Sequence, residues 1–178
     1  VDIAKDFVVE LDSISPAPDS FYYKLFYFRV KNYSKQIEQN FKGSIEVCNE
    51  AIAHLNSNQL FISNVRIGEF AVTKLYCHLM LKEFDEGQIE ALRCSELFAP
   101  TTNTWFTYMD YYFLLAMHTL HFEDAQEIYS TVISNPRFNF QIDQTKERWI
   151  LYESFLQFAL TINGTEPAKK FDLKRFLR

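Results

Sequence analysis

The fold is decided by one stretch of sequence, residues 121–136, which reads HFEDAQEIYSTVISNP. An aromatic residue, Phe122, stands near its start, and the small residue Ala125 follows three positions later. Apolar side chains then recur at helical spacing at Ile128 and Val132, and a proline closes the stretch. The pattern predicts an α-helix that begins at a turn, approaches another helix closely at Ala125 and stops before the proline.

The same arrangement occurs twice more towards the N-terminus. The turn phenylalanines are Phe41, Phe84 and Phe122, and they are spaced by 43 and 38 residues. A small residue follows each of them by three positions. Long apolar stretches precede each turn, and glycine and proline are scarce. The sequence therefore predicts an all-α chain of helical hairpins, with the turn aromatic rings filling the seam within each pair and small residues at Ser44, Gly87 and Ala125.

Helix boundaries follow from the apolar spacing and from the prolines. Residues 1–18 carry an alternating apolar run before Pro16 and Pro18, which favours an extended lead-in segment. Residues 19–178 are expected to form one repeat domain of about three and a half hairpins. The chain begins at Val1 and is interpreted as a fragment of a longer protein. Helices are predicted at about 20–39, 42–56, 59–83, 85–98, 103–121, 123–134 and 143–163, with a last one from about 166.

This pattern resembles the tetratricopeptide-like helical repeat family. That family carries an aromatic residue at the turn, a small residue three positions on, a small or aromatic residue four further on, and a proline at the exit. The resemblance covers residues 20–164 and implies antiparallel hairpins stacked in a right-handed α–α superhelix. The period departs from the usual repeat of about 34 residues, and HEAT-type or unrelated helical bundles remain alternatives. The matching residues are Phe122, Ala125, Tyr129 and Pro136, then Phe84, Gly87, Ala91 and Pro100, then Phe41, Ser44 and Cys48.

Composition excludes several classes of protein. Four widely separated glycines cannot form a phosphate-binding loop or a dinucleotide fingerprint. The net charge of −5 disfavours nucleic acid and anionic lipid as partners. The apolar stretch from Trp105 to Phe122 contains Asp110 and lacks a basic flank, so a buried helix is the better interpretation than a membrane span. Three cysteines, an odd number within apolar segments, favour a reducing compartment, and the predicted location is cytoplasmic.

No set of residues with catalytic or metal-ligand spacing is present, so we expect no metal, no cofactor and no enzymatic activity. His118 and His121 lack a third firm ligand. Asp110 is the only formal charge between Pro100 and Glu123. Two interpretations of Asp110 stay open: a ligand-facing acid, which an enzyme would combine with His78 or His118 as base, or an acid at the exposed helix edge or bonded within the core.

The first helix of each hairpin faces the concave side in the family that the chain resembles, and the resemblance therefore implies where a partner would bind. We expect a non-enzymatic scaffold that binds a protein or peptide there. A regulatory or sensory domain that binds a small apolar ligand or a signalling peptide is the alternative, and the same residues could also be core. The groove candidates are Arg29, Tyr33, Val72, Tyr76, Met80, Asp110, Leu114 and Met117.

Overall fold

The computed structural model describes residues 2–13, 20–57 and 63–164. Within these ranges the secondary structure is helical and no strand occurs, so the all-α prediction is confirmed. The helix predicted from residue 166 lies outside the described residues. The α-helices are α1 (Asp2–Ser13), α2 (Phe21–Ile37), α3 (Phe41–Ser57), α4 (Asn64–Leu81), α5 (Phe84–Cys94), α6 (Asn103–His118), α7 (Phe122–Ser134) and α8 (Asp143–Ile162).

The chain divides into two compact units, Val1–Phe98 and Ala99–Arg178, where the sequence predicted one repeat domain over 19–178. The break falls just before Pro100, where α5 and a short 3-10 turn have ended. The first unit contains α1 to α5, and each helix packs on the next one along the chain. The second unit contains α6, α7 and α8, with α7 packed on both neighbours.

The prediction of an extended lead-in was wrong for residues 2–13, which form α1. Two tyrosines of α2 explain the helix. The hydroxyl of Tyr23 donates to the carbonyl of Leu11 at 3.2 Å, and that of Tyr27 donates to Asp12 Oδ1 at 2.7 Å. Packing against α2 therefore outweighs the local alternation of apolar residues on which the prediction was based.

The core of the first unit joins three consecutive helices. Phe70 of α4 is fully buried and packs with Leu25 of α2 and Leu55 of α3. A buried polar chain crosses the same helices: the Ser44 hydroxyl donates to Asn32 Oδ1, and Cys77 Sγ donates to Ser44 Oγ at 3.3 Å. These polar atoms need each other because a buried polar group without a hydrogen bond is costly.

In α5 the apolar spacing of the sequence predicts that Ile89, Leu92 and Phe98 form one buried stripe. Phe98 is buried, but Ile89 and Leu92 are exposed, and Gly87, Gln88, Ala91 and Cys94 are buried instead. The turn before Phe84 fixes this rotation, because it directs the positions three, seven and ten residues after Phe84 towards the neighbouring helix. Small side chains there let the backbones of α4 and α5 approach each other, as the sequence predicted for Gly87.

The core of the second unit is an aromatic cluster. Trp149 of α8 is completely buried, with its ring centroid 5.5 Å from Phe113 of α6 and 5.2 Å from Tyr152. Tyr129 of α7 lies 6.3 Å from the same indole, and Phe113 stacks on Tyr152 at 4.6 Å. The cluster therefore holds all three helices of this unit together.

Three helix ends share one turn, which the sequence had identified only by its phenylalanines. Gln39, Lys82 and Leu120 all have positive φ, at 57°, 60° and 62°. The next residue in each case donates its N–H to a carbonyl five positions back, as His121 does to Ala116 at 2.9 Å. This is a Schellman termination, and it places the following phenylalanine at the first position of the next helix. The three phenylalanine rings themselves are partly buried, whereas Ser44, Gly87 and Ala125 are buried.

Replacing Leu120 by glycine is expected to stabilise the protein by about 0.5–1 kcal/mol, because glycine adopts positive φ without the Cβ clash that leucine suffers. Leu120 is exposed, so little apolar burial is lost. The urea midpoint would measure the change. The reciprocal control is Gly164→Ala at φ 73°, which should be destabilising; a lower midpoint for Leu120→Gly would contradict the assignment of strain to this turn.

Candidate functional site

The shared turn sets a common register for the helices that precede it. Tyr33, Tyr76 and Leu114 each lie six residues before the residue with positive φ. Arg29, Val72 and Asp110 each lie ten residues before it. Because equal distances from equal turns give equal rotations about the helix axis, these predicted groove residues occupy matching positions on α2, α4 and α6.

In the first unit, the predicted residues Arg29, Tyr33 and Met80 are exposed, whereas the predicted groove residue Val72 is buried in the core. Tyr33 of α2 is 61% exposed and Met80 of α4 is 49% exposed. Tyr76 is partly buried, with its ring 5.9 Å from Phe41 in an edge-on contact. The sequence reasoning missed four further exposed residues on the same two helices. We call the whole set the α2–α4 face: Tyr22, Phe26, Arg29, Tyr33, Val65, Glu69, Tyr76 and Met80.

An ion pair links the two helices of the α2–α4 face. Arg29 Nε donates to Glu69 Oε1 at 2.8 Å, and a second nitrogen of the guanidinium donates to the other carboxylate oxygen. Both side chains are nearly half exposed, so the pair adds little to stability. Its two-point geometry instead fixes where Arg29 lies and leaves the middle of the face without net charge.

Asp110, the corresponding residue of α6, is placed differently. It is only 4% exposed, and its Oδ2 lies 2.9 Å from Nη1 of Arg148 in α8. Asp110 is therefore an acid bonded within the core, and it does not face a ligand in an exposed groove. The reason is the aromatic cluster, which surrounds this part of α6 with Trp149 and Tyr152.

The environment of Asp110 changes its acidity. Burial raises the pKa of this carboxyl to about 6, against a smaller lowering effect of Arg148 and of the indole of Trp149. The indole nitrogen is close enough to act on the carboxylate, yet neither Trp149 Nε1 nor Asp110 Oδ1 has a hydrogen bond of acceptable geometry. One oxygen of the acid is thus paired and the other is not.

Leu114 and Met117 of α6 are partly buried.

Helix α8 carries exposed apolar residues in the register defined by the turns, and the sequence reasoning did not select them. Phe158 and Ile162 lie six and two residues before Gly164, as Tyr76 and Met80 lie before Lys82. Gly164 has a positive φ of 73°, and its N–H donates to the carbonyl of Thr161, three residues back. The N–H of Leu120 donates to the carbonyl of Met117 in the same way. Gly164 could have indicated this turn in the sequence, but the position two residues later, where the other three turns have phenylalanine, is Glu166.

The residues considered for catalysis are divided between the two units, with His78 in the first and Asp110 and His118 in the second. His78 Nδ1 lies 3.1 Å from Glu83 Oε2, and His118 is exposed at the end of α6. Burial raises the pKa of the Cys48 and Cys94 thiols to about 12, so at neutral pH they stay protonated and are poor nucleophiles. Within the second unit, the ionic partner of Asp110 is Arg148.

Two surface pockets lie within the second unit. One, of about 460 Å³, is lined mainly by the α6–α7 turn and the start of α7 and includes Glu123 and Asp124. The other, of about 200 Å³, includes Tyr112, Asp124 and Glu127. In the described ranges no group of three His, Cys, Asp or Glu side chains converges on a common point. No helix among them is long and apolar enough to span a membrane.

No protein-family model, curated protein or solved structure matches this chain. The resemblance to tetratricopeptide-like repeats therefore stays a prediction from the sequence. Function has to be inferred from the side chains that the two units expose.

Proposed function

We propose that the chain is a non-enzymatic interaction scaffold of the tetratricopeptide-like class, which binds a protein or peptide along the first helix of each hairpin. The observation that carries this proposal is the repeated turn. It sets the rotation of each preceding helix relative to its own turn, and on α2 and α4 the positions so defined include exposed aromatic and apolar side chains. The right-handed stacking of the hairpins is part of the same proposal.

The chemistry of the α2–α4 face indicates the kind of partner. Tyr22, Phe26 and Tyr33 offer rigid rings that bury much area at small entropic cost, which is why tyrosine is common in binding surfaces. The Arg29–Glu69 pair satisfies its own charges. A protein segment with apolar or aromatic side chains fits such a surface, and nucleic acid does not fit a chain with a net charge of −5.

Two further parts of the proposal concern context. The three cysteines are unpaired and buried, which agrees with a cytoplasmic location, and no cofactor is needed for binding of this kind.

The alternative, a sensory domain for a small apolar ligand, has weaker support. Both described pockets of the second unit are lined by carboxylates, and burying those against an apolar ligand would be costly.

The test compares two double variants of the purified chain. Tyr33→Ser with Met80→Ser removes two exposed side chains from the α2–α4 face, and Ile89→Ser with Leu92→Ser removes two equally exposed side chains from the second helix α5. A partner captured by the unaltered chain and identified by mass spectrometry should bind the first variant at least about tenfold more weakly, as expected when two apolar contacts of the binding surface are lost.

Binding to the α5 variant should be unchanged, and circular dichroism should show that both variants are folded. Equal binding by all three proteins would place the interaction elsewhere and contradict the proposal. Repeated capture that yields no protein partner would also contradict it, and a rise in melting temperature with small apolar ligands would then favour the sensory alternative.

A further inference from the structure

The contact between α6 and α8 contains a carboxylate that is satisfied on one side only. Asp110 Oδ2 pairs with Arg148 at 2.9 Å, while Oδ1 is buried and has no hydrogen-bond donor. The indole N–H of Trp149 is also buried and has no acceptor. A donor and an acceptor thus lie in the same cluster without a proper bond between them.

This arrangement makes the two protonation states of Asp110 unequal. An ionised carboxylate in a dry aromatic environment needs donors at both oxygens, and here only one is supplied. A neutral acid loses the ion pair, but the free-energy cost of a buried charge is removed. Arg148 can tolerate that loss because its side chain is 45% exposed and can be hydrated.

We infer that Asp110 and Arg148 form a proton-sensitive contact, in which the change from ion pair to neutral acid sets how firmly α8 is held against α6. The pKa of Asp110, raised by burial to about 6, agrees with the geometry. The proposal concerns stability within this unit and does not depend on the proposed partner function.

The other titratable groups around Asp110 do not replace it as the sensor. From α8, Tyr152 lies close enough for Asp110 to contribute to its raised pKa, whose largest cause is burial. From α6, Tyr111 also contributes to the raised pKa of Tyr152. From α7, Tyr129 packs on Trp149. Burial is the largest cause of the raised pKa of Tyr112, to which the carboxylates of Asp124 and Glu127 of α7 also contribute. Tyrosines do not ionise near pH 6, and Arg148 stays charged throughout.

The sign of the effect follows from linkage. The pKa of Asp110 is higher in the folded protein, about 6, than its ordinary value of 3.8. Between these values the folded state binds more protons than the unfolded state, so stability falls as pH rises through 6. Through Asp110 the α6–α8 contact is therefore stronger at mildly acidic pH than at neutral pH, opposite to the behaviour of an ordinary exposed salt bridge.

The direct test is a carbon-13 NMR titration of the Asp110 side-chain carboxyl in the full chain, which requires no substitution at the site. We expect a midpoint near pH 6. A midpoint below pH 4.5 would overturn the inference, because the buried carboxylate would then be fully stabilised in its ionised form.

A second test uses stability. The urea midpoint of the second unit, followed by Trp149 fluorescence in a Trp105→Phe background, should be higher at pH 5 than at pH 7.5. In the same background, Asp110→Asn should remove most of this difference while keeping the side-chain shape. Equal pH dependence with and without Asp110→Asn would overturn the inference.

Arg148→Gln separates the ion pair from simple burial. Because Arg148 lowers the pKa of Asp110, its removal should move the NMR midpoint to higher pH. An unchanged midpoint would show that the two side chains do not form the proposed contact in solution.

Discussion

Replacing Trp149 by alanine is expected to lower the free energy of unfolding of the α6–α8 unit by about 3–5 kcal/mol. The indole is completely buried and contacts aromatic rings of α6 and α7 as well as Tyr152 of its own helix. Its N–H has no hydrogen-bond partner, so the loss comes from packing and from the cavity that alanine leaves. Urea unfolding followed by circular dichroism would measure it.

The matched control for Trp149 lies on the same helix. Phe155→Ala removes a ring that is almost half exposed, and we expect a loss below about 1.5 kcal/mol. If Trp149→Ala fails to fold, Trp149→Phe keeps a ring in the cluster and should cost about 1–3 kcal/mol. Similar losses for Trp149→Ala and Phe155→Ala would mean that the aromatic cluster is not the core of this unit.

Replacing Phe70 by alanine is expected to have an effect of similar size in the other unit, about 3–5 kcal/mol. Phe70 is 1% exposed and joins buried residues of α2, α3 and α4 in one cluster. Amide hydrogen exchange would locate the effect, since protection should fall in these three helices.

Phe26→Ala is the control for Phe70, because Phe26 is a phenylalanine of the same unit that is half exposed on α2. It should cost well under half as much as Phe70→Ala. A larger loss for Phe26→Ala would show that the α2–α4 face is packed in solution, which would also argue against its role in binding a partner.

The hairpin turns were readable from the sequence because they depend on local chemistry. Phe84 with Gly87 and Phe122 with Ala125 mark the start of a helix, and the structure begins helices at both phenylalanines. The sequence did not reveal the cause, which is the residue with positive φ two positions earlier. Lys82 and Leu120 carry no signal of a left-handed conformation, whereas glycine would have.

The parts that were mispredicted depend on contacts between distant residues. Helix α1 packs against α2, whose Tyr23 and Tyr27 donate to its last turn, and nothing within residues 2–13 alone indicates that contact. The charge on Asp110 drew attention to the residue, but its partner Arg148 lies 38 positions later and nothing in the local sequence connects the two. Register within a helix can be read locally, and the choice of partner cannot.

The three buried thiols have a practical consequence. Burial raises the pKa of all three, and Cys48, Cys77 and Cys94 are inside the first unit. Surface thiolates attack maleimides and thiol-specific nitroxide reagents, so the native protein should not react with these reagents at neutral pH. A single cysteine introduced at an exposed position could then carry a fluorophore or a spin label without first removing the natural ones.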